Sequence, residues 1–101
     1  MIVISSKNGA VGIAQAMAAL RAGGNAIDAI VAGIEPVESN REDHTVGLGG
    51  LPNLLGEVEL EASLMDGATR DVGAVAVVHG YQHPIRVAHA VLERLPHVLI
   101  A

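Results

Sequence analysis

The sequence predicts a mixed helix–sheet domain of the α/β class, and three observations predict it. Residues 58–64 and 72–78 carry strand signatures, while three other stretches repeat apolar residues at helical spacing. Glycine and proline fall at the boundaries between these stretches. The chain has 101 residues, enough for one domain at most.

Taken in order, residues 2–5 (Ile2-Val3-Ile4-Ser5) are short, apolar and β-branched, and read as a strand ending at Lys7-Asn8-Gly9. From Ala10 the pattern turns helical, with Val11, Ala14, Ala18 and Leu20 on one face and Ile13 and Met17 alongside. Gly23-Gly24 stops that helix, because glycine takes the left-handed conformation that a helix end needs. Asn25 then suits an N-cap, and Asp28 in the first turn suits the helix dipole. Ala26, Ile27, Ile30, Val31 and Ile34 form the expected buried face of the second helix. Pro36 reads as lying at its end, followed by a polar connection over residues 38–45.

Gly47, Gly49, Gly50, Pro52 and Gly56 make a turn-rich loop. Val58, Leu60, Ala62 and Leu64 then alternate with Glu57, Glu59, Glu61 and Ser63, giving a strand with one dry and one wet face. Residues 72–78 are apolar at nearly every position, as expected of a central strand covered on both faces. Pro84 fits the first position of a third helix, in which Ile85, Ala88, Leu92 and Leu95 are flanked by Val87 and Val91. Residues 97–101 open a further strand.

Composition excludes several classes of function. Eleven acidic against six basic residues give a net charge of −5, and Tyr81 is the only aromatic residue. Such a chain has neither the cationic field nor the stacking platforms that nucleic acid requires. Without cysteine there is no disulfide and no thiolate chemistry. No apolar run approaches the ~20 residues of a membrane span, and the polar turn after Ile4 is unlike a signal peptide, so a cytoplasmic protein is expected.

Single motifs carry little chemistry. Gly9 and Gly12 before a helix suggest a phosphate cradle, but the third glycine and the acidic residue of a dinucleotide site are missing. His79 and His83 are four apart with Gly80 between them and Pro84 next, which breaks a common helical face. No zinc site and no cofactor are therefore expected. Glu57, Glu59 and Glu61 keep a strand face solvated more simply than they form an acid–base pair. Ser5, Ser6, Ser39 and Ser63 lack the Gly-x-Ser-x-Gly setting of a serine nucleophile.

The order of six blocks says more than any one motif. They are Gly23-Gly24-Asn25-Ala26-Ile27-Asp28-Ala29, then Thr45-Val46-Gly47-Leu48-Gly49-Gly50-Leu51-Pro52-Asn53, then the segment from Glu57 to Gly67. Val72-Gly73-Ala74-Val75-Ala76, His83-Pro84-Ile85-Arg86-Val87-Ala88 and Leu95-Pro96-His97-Val98-Leu99 follow. In this order the chain resembles the N-terminal part of the type 2 asparaginase family of N-terminal nucleophile hydrolases. The block around Gly47 to Pro52 is most similar to the glycosylasparaginase branch.

The resemblance implies the N-terminal portion of a four-layer αββα fold within an α/β (α+β) domain. It also implies a precursor that cleaves itself to free an N-terminal threonine, whose hydroxyl attacks while its own amine serves as base. The substrate would be a small asparagine derivative or glycoasparagine, and the complete enzyme would be a homodimer. That nucleophile belongs downstream of residue 101, so no catalytic residue is assigned here and residues 1–101 alone are expected to be inactive. On the same resemblance, Thr45 sits where the family carries a Ser or Asn beside the active site, and is read as a loop-positioning residue. Lys7 and Asn8 lie in the stretch Ser5-Ser6-Lys7-Asn8, where glycosylasparaginases commonly carry Ser-x-Trp-Asn. Replacing the tryptophan by Lys7 removes an aromatic wall and adds a cation, which bears on the substrate. The loop over residues 38–48 matches one that wraps a sodium ion in some asparaginases, but Ser39-Asn40-Arg41 departs from its acidic, proline-containing form. The other readings are the L-asparaginase or isoaspartyl dipeptidase branch, and a small α/β binding module without catalysis.

Overall fold

Three helices and a three-stranded sheet make up the protein, in a computed structural model that describes residues 1–101. A 3-10 turn, Lys7–Gly12, runs directly into α1, Ile13–Arg21. Helix α2 spans Ala26–Ser39, and a short 3-10 turn at Gly47–Gly49 lies in the loop that follows. Strands β1, Leu60–Met65, and β2, Val72–Val78, pair antiparallel. Helix α3, Pro84–Arg94, crosses the sheet and leads to β3, Leu99–Ile100, which pairs parallel to β2. The strand order β1-β2-β3 puts β2 in the centre, as its composition predicts.

Local signals set several boundaries where expected. Asn25 and Asp28 form a reciprocal capping box: the Asp28 N–H donates to Asn25 Oδ1 at 2.9 Å and the Asn25 N–H donates to Asp28 Oδ2 at 2.8 Å. Two N–H groups left free by helix geometry are thereby satisfied. Pro84 begins α3, where its missing N–H costs nothing.

The core joins α2, the sheet and α3 through Ile27, Leu64, Val75, Ile85 and Ala88. Ile85 is 1% exposed, and burying such a side chain contributes about 1.5–3 kcal/mol. Gly73 lets α3 close onto β2, since a β-carbon there would overlap the Ala88 carbonyl and crowd Leu92. The α1–α2 crossing rests on Gly12 in the same way, because a β-carbon at Gly12 would overlap the Gly33 carbonyl.

Several expectations fail for physical reasons. Of the face read for α2, Ala26 and Ile30 are exposed along the groove beside residues 1–6, and only Ile27 is fully buried. Residues 2–5 form no strand; Ile2 and Ile4 are exposed and no neighbouring strand offers them a ladder. Local β-propensity cannot supply that partner. The inward side of α1 is Ile13 and Ala16, whereas Val11, Ala14 and Ala18 are exposed. The 3-10 turn before Ile13 advances the chain by a different angle per residue, which shifts the face. Pro36 lies inside α2, which continues to Ser39. Glu38 is buried at 2% exposure instead of lying in a solvated connection. Finally, β2 is not fully covered on both faces: Gly73 and Val75 are buried, Val72 and Ala74 on the other face are half-buried, and Val77 is exposed with φ +56°, at a bulge where β1 advances from Leu60 to Ala62 while β2 moves from Val78 to Val75. No helix is long and apolar enough to cross a membrane.

Candidate active-site loop

The side chain of Asn8 is placed by the 3-10 turn at Lys7–Gly12, which the Gly12–Gly33 contact holds against α2. On the far side of α2 the chain leaves the helix at Asn40, turns back, and brings Asp43 and Thr45 to meet it. Asn8 Nδ2 donates to Asp43 Oδ2 at 2.9 Å and lies 3.4 Å from Thr45 Oγ1. The Thr45 hydroxyl donates to Asp43 Oδ1 at 2.6 Å, and the Thr45 backbone N–H reaches the same oxygen at 2.9 Å. Residues 37 apart in sequence are thus joined through one carboxylate.

Those bonds hold the Asp43 carboxyl below the usual aspartate range, the Thr45 hydroxyl most of all, then the Thr45 N–H, with Asn8 and His44 assisting. Asp43 is therefore a poor general base, because its electron pairs are committed to donors. The Thr45 proton is committed to Asp43 and the Asn8 amide approaches its oxygen at 3.4 Å, so towards any further group that oxygen can only accept. Lys7, Asn8, Asn40, Glu42, Asp43 and His44 border a shallow hollow of about 300 Å³ beside this cluster. A larger groove of about 720 Å³ runs between residues 1–6 and the α1–α2 pair; its walls are mainly apolar, with Ser5, Ser6 and Asn8 as polar side chains and no titratable one. The titratable side chains gather at the smaller hollow. No three histidine or carboxylate side chains converge as metal ligands do.

The loop is fixed from beneath by Glu38. Its Oε1 accepts the Ile85 N–H at 2.9 Å, and Oε2 lies 3.2 Å from His83 Nδ1. His83 provides no side-chain cap to α3, so the carboxylate of Glu38 does this from another helix. Burial raises the Glu38 pKa, against the opposing pull of the Ile85 N–H and His83. Glycines then close the loop over it. Gly47 has φ +61°, and a β-carbon there would overlap the Glu38 backbone. A β-carbon at Gly49 would overlap the Asp43 carbonyl, while His44 Nδ1 bonds the Gly49 carbonyl at 2.9 Å. Gly47 and Gly49 of the Thr45 to Pro52 block thus permit close backbone approach.

Residues 7–101 match the asparaginase family. The chain belongs to the type 2 asparaginase family. Over 86 residues it is 40% identical to an N4-(β-N-acetylglucosaminyl)-L-asparaginase of Elizabethkingia miricola, covering 85% of this chain and 25% of that protein. A mouse protein of the same name is 43% identical over 81 residues, 80% of this chain and 23% of its own length. An isoaspartyl peptidase/L-asparaginase of Macaca fascicularis is 41% identical over 81 residues, 80% of this chain and 26% of that protein. The chain spans about a quarter of the length of these curated relatives.

Among the residues singled out in the sequence, Asn8 and Thr45 come together, while Lys7 stands on the rim of the hollow with no ion-pair partner. Two residues escaped sequence reasoning: Asp43, which links them, and Glu38. Each looked like one more acid in a polar loop. The signal available was the glycine at Gly47, whose need for close packing implies a buried neighbour.

Proposed function

We propose that this chain forms the N-terminal portion of an amidohydrolase that cleaves the side-chain amide of N-acetylglucosaminyl-asparagine. The nucleophile in this reading is a threonine outside residues 1–101, freed when the precursor cleaves itself, with its own α-amine as base. The complete enzyme is a homodimer in which this segment positions and lines the site. One observation carries the reading: Asn8 and Thr45 converge on Asp43 within a family-matched chain. That cluster offers a committed hydroxyl and a weakly basic carboxylate, which suits orienting a substrate or a neighbouring nucleophile better than attacking a carbonyl. The names of the Elizabethkingia miricola and mouse relatives favour the glycosylated substrate.

A second reading, an isoaspartyl peptidase/L-asparaginase, is favoured by the Macaca fascicularis relative and by Lys7, whose cation stands at the hollow. The two are separated by supplying N4-(β-N-acetylglucosaminyl)-L-asparagine, L-asparagine and a β-aspartyl dipeptide to the purified chain and to the chain joined to a downstream family segment. The joined protein is expected to release aspartate fastest from the glycosylated substrate, and the 101-residue chain to release none. Turnover by the short chain above background would refute the placement of the nucleophile.

A further inference from the structure

We propose that Glu38 is the positioning residue of the Asn8–Asp43–Thr45 cluster, a role that rests on the reading of that cluster as part of the active site. Three contacts made by this one residue carry the inference. Its side chain reaches from the last turn of α2 to the first turn of α3, where Oε1 accepts the Ile85 N–H at 2.9 Å. Its second oxygen meets His83, so both carboxylate oxygens are engaged, and the side chain is 2% exposed. On its other side, the Glu38 backbone is the surface on which Gly47 rests, so closely that no β-carbon fits between them.

Gly47 follows Thr45 by two residues, and the chain between Glu38 and Gly47 is the loop that carries Asp43. The position of Glu38 therefore fixes both ends of that loop. A loop of this length has many closed conformations unless its ends are held, and only some of them bring Asp43 to Asn8. Docking onto α3 selects among them before any substrate arrives. Nearby polar groups support the same junction: Gln82 Nε2 donates to Ser39 Oγ at 3.1 Å, and Arg86 pairs with Glu35 one turn before Glu38. The charged or titratable groups facing Glu38 are Glu35 from α2 itself, and His83 and Arg86 from the start of α3.

The test uses four variants of the 101-residue chain and reads the cluster directly by NMR, following the titration of the Asp43 carboxyl and the exchange of the Thr45 amide. Glu38→Gln keeps an acceptor for the Ile85 N–H and is expected to preserve a low Asp43 titration and a protected Thr45 amide. Glu38→Ala removes the acceptor, and Glu38→Asp shortens its reach by one methylene. Both are expected to move Asp43 upward towards ordinary aspartate and to speed Thr45 exchange. Val91→Ala weakens α3 without touching Glu38 and is expected to leave both readouts as in the parent chain. Unchanged Asp43 titration in the Ala or Asp variant would overturn the proposal, as would an equal shift in Val91→Ala. Unfolding of both Glu38→Ala and Glu38→Asp would also overturn it, in favour of a cap that serves stability alone. None of these readouts requires turnover, so failure here is distinct from failure of the substrate assignment.

Discussion

Gly12→Ala puts a methyl group where α1 and α2 touch, and the structure predicts how badly it fits. The new β-carbon would fall within the contact radius of the Gly33 carbonyl, a backbone atom that cannot rotate away. Overpacking of this kind costs about 1–3 kcal/mol, and a backbone neighbour places the cost at the upper end. Removing a glycine from the unfolded chain returns about 0.4–1 kcal/mol. The net loss is therefore about 2 kcal/mol, or roughly 8–16 °C in melting temperature for a chain of this size. The reciprocal change, Gly33→Ala, meets the Ala16 β-carbon at 3.0 Å and the Gly12 carbonyl at 3.3 Å, tight contacts that a shift of a few tenths of an ångström relieves. In the middle of α2 it also gains up to about 1 kcal/mol of helix propensity, so it should be nearly neutral. Urea and thermal unfolding followed by far-UV circular dichroism measure both. If Gly33→Ala proved as damaging as Gly12→Ala, the placement of the Gly33 carbonyl against Gly12 would be wrong.

Four further outcomes follow from named contacts. Asn25→Ala breaks the capping box of α2 and should lower stability by about 1 kcal/mol in the same unfolding assay. Glu38→Ala strands the buried Ile85 N–H and should cost about 1–3 kcal/mol, whereas Glu38→Gln should not. Because the folded pKa of Glu38 is raised, its contribution is fully present below the ordinary glutamate range and is lost as pH rises through the raised value. Relative to the parent, Glu38→Gln should therefore gain stability as pH increases across that window, as pH-dependent urea titrations would reveal. Asp43 has the opposite sign: its lowered folded pKa gives stability above the ordinary aspartate range that disappears as pH falls through the folded value. Asp43→Asn should flatten that acid limb.

What the sequence made legible was local. The stop at Gly23-Gly24, the Asn25 cap, the bounds of β2 and the start of α3 at Pro84 each depend on a few adjacent residues, and each is found where predicted. What was hidden depends on partners far along the chain. The strand expected at residues 2–5 needed a neighbouring ladder, and no local pattern reports whether one exists. Glu38 resembled a solvated acid because its partners, Ile85 and His83, lie 47 and 45 residues away. The site divides in the same manner. Asn8 and Thr45 were found through family blocks, but Asp43 was missed because its value lies in joining them across 35 residues.

On the proposed reading, residues 1–101 serve as the N-terminal segment of a working glycosylasparaginase. A chimera tests it most directly: the 86-residue segment of the Elizabethkingia miricola relative that aligns with this chain is replaced by the matching part of this chain. Release of aspartate from N4-(β-N-acetylglucosaminyl)-L-asparagine is then measured. The chimera is expected to fold and hydrolyse this substrate, and Thr45→Ala within it to lower the rate. A folded chimera with no hydrolysis, or one whose rate ignores Thr45, would rule out this role for the segment.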